Sequence, residues 1–446
     1  MSYGQFEQFI RNMSRVMATV NTRLQRDLTM RSRLSRRFSQ REVSEFLNVD
    51  ATYLIRLANE DPAFPEGTKV GRERTFSPDE IMLIRALLDA NPNARRKYLH
   101  WRAPTEPVKV VTFGAQKGGT GKSLSAAHFA QYLNLFYGLR VGVIDADPQS
   151  TISLYFADDA LPLFDPETPT IADFMGVGDP GAKEPTRHDA ATLDAIWRST
   201  SWPGIRLMPG GANIQNGDIA MFFMSRNAGI PIYRLLKDAI HRWESSYRPV
   251  TPTTDFRKSD GTFDMDRYGS ALHETLDVIV IDQQPSLTLV QLNGLLAADS
   301  VVMPQTMKGF DLATLATFVN SIAEYLDFIV GYDKDFVIGA GAHFVLPTIV
   351  QEQNDRDTAQ ILDLYEQAPN ETLQVWYSRS DAIANAADEY KSIYEYMPDK
   401  NRRQSAQQFM RNANAVNDAI VGKVWPEFEQ RGYAAAFIKD HWETEE

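Results

Sequence analysis

The chain has 446 residues, of which 43% are hydrophobic, enough for two or three folded units with at least one sizeable core. It contains no cysteine, which excludes disulfides, thiolate metal sites, iron–sulfur clusters and a cysteine nucleophile and fits a reducing, cytoplasmic setting. The net charge is −12, yet residues 1–102 hold 18 Lys+Arg against 12 Asp+Glu, whereas the remainder holds 28 against 46. This uneven charge predicts different partners for the two parts.

No secretory signal or membrane-spanning segment is predicted. Residues 1–20 carry two arginines and lack an unbroken apolar stretch. The most apolar run, residues 336–350, is interrupted by His343 and Pro347 and falls short of the roughly 20 residues that a spanning helix needs. We therefore expect a soluble protein.

Residues 2–37 show apolar side chains at helical spacing with arginines between them, which predicts one long amphipathic helix. The apolar positions are Phe6, Ile10, Met13, Met17, Val20 and Leu24. We interpret residues 1–37 as a dimerisation helix that packs on its own domain or on a partner subunit. Arginines aimed at phosphate are the alternative.

A helix-turn-helix pattern follows. A capping box at Ser39 opens one helix, a short turn comes next, and residues 51–59 form a second helix. Residues 61–75 are rich in proline and glycine, as in a basic wing, and Ser77 caps a third helix that has proline at its first position. We predict a winged helix-turn-helix domain over residues 38–102.

The net basic charge of this domain and the short turn between its helices favour DNA as its ligand. The residues that could reach a duplex are Thr52, Tyr53 and Arg56 on the second helix and Lys69, Arg72 and Arg74 in the wing. A small helical adaptor without DNA contact is the alternative.

From residue 108 onward, after a linker at residues 91–107, short β-rich runs alternate with longer helical stretches. The predicted strands are Val108–Phe113, Val141–Ile144, Val278–Ile281, Val301–Met303 and Phe344–Ile349. The alternation predicts an α/β domain over residues 103–446, with a doubly wound, mostly parallel sheet and helices on both faces. Residues 158–203 and 248–268 are polar and dense in proline, glycine and aspartate, so we expect insertions there and assign them no chemistry.

The strongest motif lies between the first predicted strand and a helix that ends at Gly138. A standard phosphate loop is G-x-x-x-x-G-K-[ST]. The residues predicted to bind ATP are Lys117, Gly118, Gly119, Thr120, Gly121, Lys122, Ser123 and Leu124, with Gln116 at the first glycine position of the standard motif. Backbone N–H groups of such a loop bind phosphate oxygens, Lys122 would reach the β- and γ-phosphates, and Ser123 would ligate Mg²⁺. A glycine turn without nucleotide is the alternative.

Two acidic motifs end predicted strands further along the chain. Asp145 and Asp147 follow one apolar strand, and Asp282 follows another. Carboxylates at the carboxyl ends of parallel strands lie where open α/β sheets bind ligands. The first motif could orient an attacking water or hold Mg²⁺ through water, and Asp282 could bind Mg²⁺ or its water shell. Either motif alone could also be a strand-end cap.

Together these motifs resemble those of the ParA/MinD group of deviant Walker ATPases. The matching segments are Lys117 to Ser123, Asp145-Ala146-Asp147-Pro148-Gln149 and Asp282-Gln283-Gln284-Pro285-Ser286. The helix-turn-helix before them resembles the larger, plasmid-type ParA proteins. Two positions depart from the pattern, because Gln284 stands where the group commonly has a first proline and Ser123 replaces a frequent threonine.

The resemblance implies a Mg-ATP-dependent ATPase that forms a nucleotide-sandwich homodimer and segregates plasmid DNA. The implied catalytic residues are Lys117, which would reach the other subunit's phosphates, Lys122 and Asp147, which would orient water; the implied Mg²⁺ residues are Ser123, Asp145 and Asp282. Implied partners are nonspecific DNA, operator DNA of a self-repressed operon and a ParB-like centromere-binding protein. The implied setting is cytoplasmic and nucleoid-associated, without a membrane.

Residues 378–396 resemble the closing segment of these ATPase domains, the part of the fold through which the ATP dimer binds DNA nonspecifically. The candidates for that contact are Lys391, Lys400, Arg402, Arg403 and Arg411, each of which could instead belong to a solvated helix face. Two other functions stay open: a nucleotide-switched repressor without a transport role, and a MinD-like positioning ATPase. The latter usually ends in a basic amphipathic helix, whereas residues 441–446 are acidic.

Overall fold

The computed structural model describes residues 4–29, 36–71, 73–157, 165, 167–226 and 229–443. Its helices are α1 (Gly4–Thr29), α2 (Gln40–Leu47), α3 (Ala51–Glu60), α4 (Pro78–Asp89), α5 (Lys122–Tyr132), α6 (Ser153–Phe156), α7 (Ile171–Phe174), α8 (Ala190–Ile196), α9 (Asn213–Met224), α10 (Leu235–Ser246), α11 (Met265–His273), α12 (Leu289–Ala297), α13 (Asp311–Tyr332), α14 (Asp355–Gln367), α15 (Asp381–Asp388), α16 (Arg403–Val424) and α17 (Tyr433–Trp442). Its strands are β1 (Phe38–Ser39), β2 (Thr68–Val70), β3 (Glu73–Phe76), β4 (Lys109–Phe113), β5 (Val141–Ala146), β6 (Arg198–Ser199), β7 (Ile205–Met208), β8 (Val278–Gln283), β9 (Ser300–Thr306) and β10 (Phe344–Thr348). A π-helical turn, Leu133–Tyr137, continues α5, and 3₁₀ turns cover Thr253–Phe256 and Lys400–Arg402.

The strands form two sheets. One is a small antiparallel sheet in the order β1-β3-β2, and the other has seven strands in the order β10-β9-β4-β8-β5-β7-β6. Every pair in the large sheet is parallel except β6 with β7. All six residues of β5 and of β8 are buried, which places these strands at the centre with both faces covered. The predicted doubly wound, mostly parallel α/β fold is confirmed.

The five predicted strands are present as β4, β5, β8, β9 and β10, whereas β6 and β7 were not predicted. β7 is four residues long and lies between two glycine- and proline-containing turns, so its sequence has no extended apolar run. β6 is a two-residue edge strand that pairs only with β7. Pairing with neighbours, which lies outside the local sequence, makes these segments strands.

The register of the central strands brings the three predicted motifs together. β8 lies between β4 and β5. Asp282 is the Cα partner of Phe113, the last residue before the glycine loop, and also of Asp145 on the other side. The loop and both acidic motifs therefore meet at the carboxyl edge of the sheet, as expected for a doubly wound fold.

The N-terminal unit has its elements in the predicted order. The predicted capping box of Ser39 with Glu42 is present at α2, and the predicted cap at Ser77 also forms a capping box, with Glu80 at α4. Asn48, with φ of 50°, makes the left-handed turn between α2 and α3. The hairpin of β2 and β3 then leads into α4.

The N-terminal unit is packed firmly on the α5 side of the large sheet. Arg85 of α4 is buried and donates hydrogen bonds to the carbonyl groups of Phe46 at 2.7 Å, Tyr98 at 3.0 Å and Leu135 in the π-helical turn. Gly138 closes that turn with φ of 66°, and a Cβ there would lie 2.9 Å from Arg85 Cδ. Buried side chains of the unit and of the α5 layer form one continuous hydrophobic core.

Residues 91–107 are not the free linker that the sequence predicts. Leu99, Trp101 and Arg102 are buried. Arg102 donates to Glu244 at 2.9 Å and to the carbonyl group of Leu276 at 2.8 Å. These contacts are made with residues more than 140 positions away, so no local signal reveals them.

The second predicted insertion, residues 248–268, braces the N-terminal unit. Phe256 packs edge-on against Trp101 with ring centroids 5.7 Å apart. Arg257 forms an ion pair with Asp61 of the N-terminal unit at 2.7 Å. The first predicted insertion holds α7, α8 and β6, and residues 158–164 and 166 of it lie outside the described part of the chain.

Two helices present apolar surface. On α1, Phe6, Ile10, Met13 and Val20 are between 41% and 63% exposed. On α13, only Asp311, Phe318 and Ile329 are buried. By length and apolar content α13 is the one helix in the described residues that could cross a membrane, a criterion that single helices of many other proteins also meet. The sequence pattern does not single out α13.

Candidate phosphate-binding site

A glycine loop, residues 114–121, joins β4 to α5. Gly119 and Gly121 have φ of 74° and 75°, in the left-handed region, and Gly121 is the N-cap of α5. A Cβ at either position would touch nothing within 4 Å, so backbone conformation and not space selects glycine there. Within the described chain, the backbone N–H groups of Gly118, Gly119 and Thr120 donate no hydrogen bond. Free N–H groups at a helix N-terminus are an anion-binding arrangement.

Lys122, the first residue of α5, points into this edge of the sheet. Its side chain is only 7% exposed, and Nζ lies 3.9 Å from Asp282 Oδ1. That separation is too long for a hydrogen bond. The buried ammonium group therefore has capacity for a second anionic partner.

Asp282, near the end of β8, is a buried carboxylate without a hydrogen bond. Neither of its oxygens has a hydrogen-bond partner among the described residues. Burial raises the pKa of Asp282 to about 6, against the lowering effect of the nearby Lys122 and Ser123 side chains. A buried charge without hydrogen bonds is costly unless a ligand compensates it.

Other buried polar atoms of the same segments also lack hydrogen-bond partners among the described residues. They are Gln116 Oε1, Thr120 Oγ1 and Ser286 Oγ. The first two belong to the glycine loop, and the third belongs to the segment after β8. This set of a cation, a carboxylate, hydroxyl groups and free N–H groups fits a polyphosphate with a divalent cation.

The two carboxylates of the first acidic motif have different environments. Both oxygens of Asp145 are occupied: Oδ1 accepts from the Asp147 N–H at 3.0 Å, and Oδ2 accepts from the N–H and the hydroxyl of Ser153 at 3.0 and 2.6 Å. Burial and the nearby Asp282 raise the pKa of Asp145 to about 8. By contrast, only Oδ1 of Asp147 accepts a hydrogen bond from described residues, at 2.8 Å from the Gln149 N–H. Asp147 is therefore the more available carboxylate, while Asp145 shapes the turn around it.

Lys117 forms an ion pair within its own chain. Its Nζ contacts Asp311, the first residue of α13, and the two side chains are 44% and 4% exposed. Asp311 also accepts hydrogen bonds from the Thr306 hydroxyl and from the Lys308 N–H, the latter at 3.2 Å. The sequence shows no signal for Asp311, because it lies 194 residues from Lys117.

One more contact holds the loop to the sheet. Thr348, the last residue of β10, donates its hydroxyl to the carbonyl group of Thr120 at 2.8 Å. A cavity of about 1010 Å³ lies next to this strand end, lined by residues 350–354 and 378–381 and by α16 and α17, but by no residue of the glycine loop. The chemistry of the site is therefore concentrated at the loop and not in that cavity.

The candidate DNA contacts are scattered over two surfaces. On α3, Thr52 is exposed, the Arg56 side chain is 63% exposed, and Tyr53 is half-buried with the Arg56 guanidinium 5.1 Å from its ring centre. In the hairpin, Arg74 is half-buried, and Arg72 lies outside the described residues. These residues stay predictions.

The second surface lies at the start of α16. Arg402 and Arg403 are exposed there, as are Lys400 and Arg411. Lys391 differs from these four residues, because its side chain forms an ion pair with Glu389 at 3.0 Å. The structure thus brings Lys122, Asp145, Asp147 and Asp282 into one site and leaves the DNA candidates at the periphery.

The parallel sheet, glycine loop and buried Lys122–Asp282 pair define a phosphate-binding protein of the doubly wound α/β class. Residues 111–420 match the model of the CobQ/CobB/MinD/ParA nucleotide binding domain. The chain therefore belongs to this family, which confirms the resemblance seen in its motifs.

Relatives point to replication and partition. A candidate replication protein A of Sinorhizobium fredii is 26% identical over 399 residues, covering 87% of this chain and 86% of that protein. Protein SopA of Escherichia coli is 26% identical over 227 residues, covering 49% of this chain and 46% of SopA. A solved structure of a partition protein has a TM-score of 0.55 at 18% identity and covers 91% of this chain and 99% of that one, which shows that the fold is shared.

Proposed function

We propose that this protein is a Mg-ATP-dependent partition ATPase that moves DNA. The observation that carries the proposal is the pair of Lys122 and the unbonded, buried Asp282 beside free N–H groups at the N-terminus of α5. Membership of a nucleotide-binding family with partition relatives supports it.

Each site residue then has a role in binding or hydrolysis. The loop N–H groups and Lys122 bind the β- and γ-phosphates, and Ser123 and Asp282 hold Mg²⁺. Bound Mg²⁺ neutralises charge on the phosphate oxygens. Asp147 orients the attacking water with its less occupied carboxylate, and Asp145 supports the turn that presents it. The predicted role of Asp145 toward Mg²⁺ is indirect here, because its oxygens are already bonded to Ser153 and Asp147.

The substitution Lys122→Ala tests nucleotide binding and hydrolysis. We expect at least a hundredfold loss of phosphate release, since one charge-assisted contact to a phosphate is worth on the order of 3 kcal/mol. Lys258→Ala is the matched control, because Lys258 is an exposed lysine at the distant insertion. Full hydrolysis by Lys122→Ala would contradict the proposal.

Lys117 is proposed to act across a nucleotide-sandwich homodimer. Among the described residues, its half-exposed side chain pairs with Asp311 alone, so it can exchange that carboxylate for the phosphates of a second subunit. We expect Lys117→Ala to abolish ATP-dependent dimerisation in sedimentation velocity while leaving monomer nucleotide affinity within about threefold. If Lys117→Ala dimerises and hydrolyses ATP normally, the ATPase assignment survives and the sandwich mechanism does not.

The DNA and partner roles follow from the relatives and from the exposed basic residues. The ATP dimer is proposed to bind DNA nonspecifically through the start of α16, to be stimulated by a ParB-like protein, and to associate with the nucleoid. Arg402→Ala with Arg403→Ala should lower ATP-dependent binding to random DNA and reduce its salt dependence. Unchanged binding would move the DNA surface elsewhere.

A nucleotide-switched repressor is the second candidate, favoured by the exposed side of α3 at Thr52 and Arg56. Operator binding without ATP-dependent relocation over the nucleoid in cells would support the repressor over the transport ATPase. A MinD-like role on lipid predicts co-sedimentation with anionic liposomes in the presence of ATP, and a protein that stays in the supernatant would contradict that role.

A further inference from the structure

Two glutamine side chains join the two acidic motifs. Gln284 Nε2 donates a hydrogen bond to Gln291 Oε1 at 2.9 Å, and Gln291 Nε2 donates one to the carbonyl oxygen of Ala146 at 3.0 Å. Gln291 is fully buried in the first turn of α12, and Gln284 is half-buried at the edge of the phosphate site. The two hydrogen bonds in series connect the segment after β8 to the backbone between Asp145 and Asp147.

Gln291 is held in one orientation. Its Oε1 also accepts from the Thr288 hydroxyl, and its backbone carbonyl accepts from Gln283 Nε2 at 2.7 Å. Gln283 in turn packs at the base of the glycine loop, where a Cβ on Gly114 would lie 3.0 Å from Gln283 Oε1. A buried network whose donors and acceptors are satisfied is rigid, in contrast to the unbonded Asp282 beside it.

The end of the relay acts on the peptide bond that precedes Asp147. The Ala146 carbonyl oxygen accepts from Gln291, and the N–H of the same peptide donates to Asp145 Oδ1 at 3.0 Å. Because a peptide unit is planar, fixing its oxygen and its N–H fixes its plane. The direction in which the Asp147 side chain leaves the backbone is therefore set from both sides of the peptide.

The start of the relay lies at the phosphate loop. Pro285 follows Gln284 directly and packs over Gly118, where a Cβ would lie 3.8 Å from Pro285 Cγ. The segment that carries Gln284 therefore lies against the glycine loop. A proline at position 284, common in the group that the motif resembles, has no side-chain donor and could not make this bond.

We propose that Gln291 is a positioning residue for Asp147 and that Gln284 couples the phosphate-contacting segment to it. The proposal deepens the ATPase function and rests on it for its kinetic consequence. The relay links the segment after β8, through Gln284 and Gln291, to the Ala146–Asp147 peptide, so that a displacement of this segment changes the alignment of Asp147.

The kinetic test separates positioning from binding. Gln291→Leu keeps the size of the side chain and removes its hydrogen bonds, and we expect kcat to fall about tenfold with KM and the nucleotide Kd unchanged within twofold. Gln291→Glu keeps the acceptor for Gln284 but lacks the donor to Ala146, so it should lose as much. Gln284→Pro cuts only the first link and should lose about threefold.

Gln131→Leu is the matched control, because Gln131 is a fully buried glutamine on α5 whose side chain donates a hydrogen bond to Glu395, outside both acidic motifs. Its kcat should equal that of the wild type. A wild-type kcat for Gln291→Leu, or a loss that appears equally in KM and Kd, would overturn the relay. If Gln291→Leu fails to fold, Gln291→Glu and the partly exposed Gln284→Pro decide the question by the same criteria.

A second readout needs neither nucleotide nor turnover. Hydrogen–deuterium exchange of the free protein should show at least about fivefold faster exchange in residues 145–153 of Gln291→Leu, with the β4 and β9 amides unchanged. Unchanged exchange in residues 145–153 overturns the positioning role. If the wild type proves unable to hydrolyse ATP, the proposed function fails while faster exchange in the variant still supports the relay, so the two failures are distinguishable.

Discussion

The two aspartates at the ends of strand β8 differ in the hydrogen bonds that they accept. Asp277 stands just before the strand and accepts four hydrogen bonds, three from the backbone and guanidinium of Arg140 and one from the Arg102 N–H, all between 2.8 and 3.0 Å. Asp282, five residues on, accepts none from the described residues. Both side chains are buried, at 5% and 0% exposure. The carboxylate at the amino end of the strand is thus paired within the protein, whereas the carboxylate at the carboxyl end is available to a ligand.

The difference follows from what converges at each edge. Residues 91–107, Arg140 before β5 and the chain before β8 all meet at the amino edge, where Arg140 also stacks over Trp101 at 4.1 Å. The carboxyl edge receives only the loops that follow the strands. Doubly wound folds bind ligands at that second edge, and buried charge is tolerated there because the ligand compensates it.

The largest expected effect on stability is at Asp277, at the amino end of β8. Asp277→Ala should lower the free energy of unfolding by about 3–5 kcal/mol, because it leaves the fully buried Arg140 guanidinium without its main carboxylate. Chemical denaturation measures it. Asp255→Ala is the control, since its pair with Arg267 is 44–48% exposed and should cost under about 1 kcal/mol. Equal losses of unfolding free energy for the two substitutions would show that the buried Asp277–Arg140 pair contributes no more than the exposed Asp255–Arg267 pair.

At the carboxyl end of β8, removing the aspartate charge should change the unfolding free energy in the opposite direction. Asp282→Asn removes a buried charge that has no hydrogen bond, so the nucleotide-free protein should gain roughly 1–3 kcal/mol of unfolding free energy at pH 8. The same variant should lose ATP hydrolysis. Thermal unfolding and phosphate release measure the two effects, and a destabilised Asp282→Asn would mean that the carboxylate is satisfied within the fold.

The pH dependence of stability should separate the two ends further. Burial raises the pKa of Asp282 to about 6 and that of Asp145 to about 8 from a usual value of 3.8, so the folded state retains protons that the unfolded chain releases. These two groups therefore make the unfolding free energy fall as pH rises from about 4 to about 8. Half-buried His100 and fully buried His128, whose pKa values desolvation lowers to about 3, act in the opposite direction below about pH 6.5.

Comparing Asp282→Asn with the wild type cancels the histidine contribution. The stability gained by the variant should grow as pH rises from about 4 and should level off above about pH 6, the raised pKa of Asp282. Differential scanning calorimetry between pH 4.5 and 8.5 measures this difference. A gain that is constant over the whole range would show that Asp282 does not titrate with a raised pKa.

The smallest effect on the unfolding free energy should come from the ion pair between Arg257 and Asp61, which joins residues 248–268 to the N-terminal unit. Arg257→Ala removes a partly buried ion pair with Asp61, whose side chains are 22% and 10% exposed, and should cost about 1 kcal/mol. The neighbouring, more exposed Lys258 serves as the control, with no measurable cost expected for Lys258→Ala. A cost above about 3 kcal/mol would place the main attachment of the N-terminal unit at this pair and not at Arg85.

Local features of this protein could be predicted, and long-range ones could not. The capping boxes at Ser39 and Ser77 and the glycine loop depend on residues a few positions apart, and they are present as predicted. Arg85, Asp311 and Gln291 each have a distant partner: Phe46, 39 residues away, Lys117, 194 residues away, and Ala146, 145 residues away, respectively. Their type and local spacing are those of ordinary helix residues.

The glycine loop, the order of the motifs and the parallel sheet could be predicted from the sequence alone, because each follows from backbone conformation or from the period of apolar residues. The sequence placed Asp282, and not Asp277, at the carboxyl end of the apolar strand, but it could not show which residues pair with either carboxylate. Only the tertiary structure decided that one is neutralised by Arg140 while the other faces Lys122 without a hydrogen bond. The physical reason is that the pairing of a buried charge depends on which distant segments reach it.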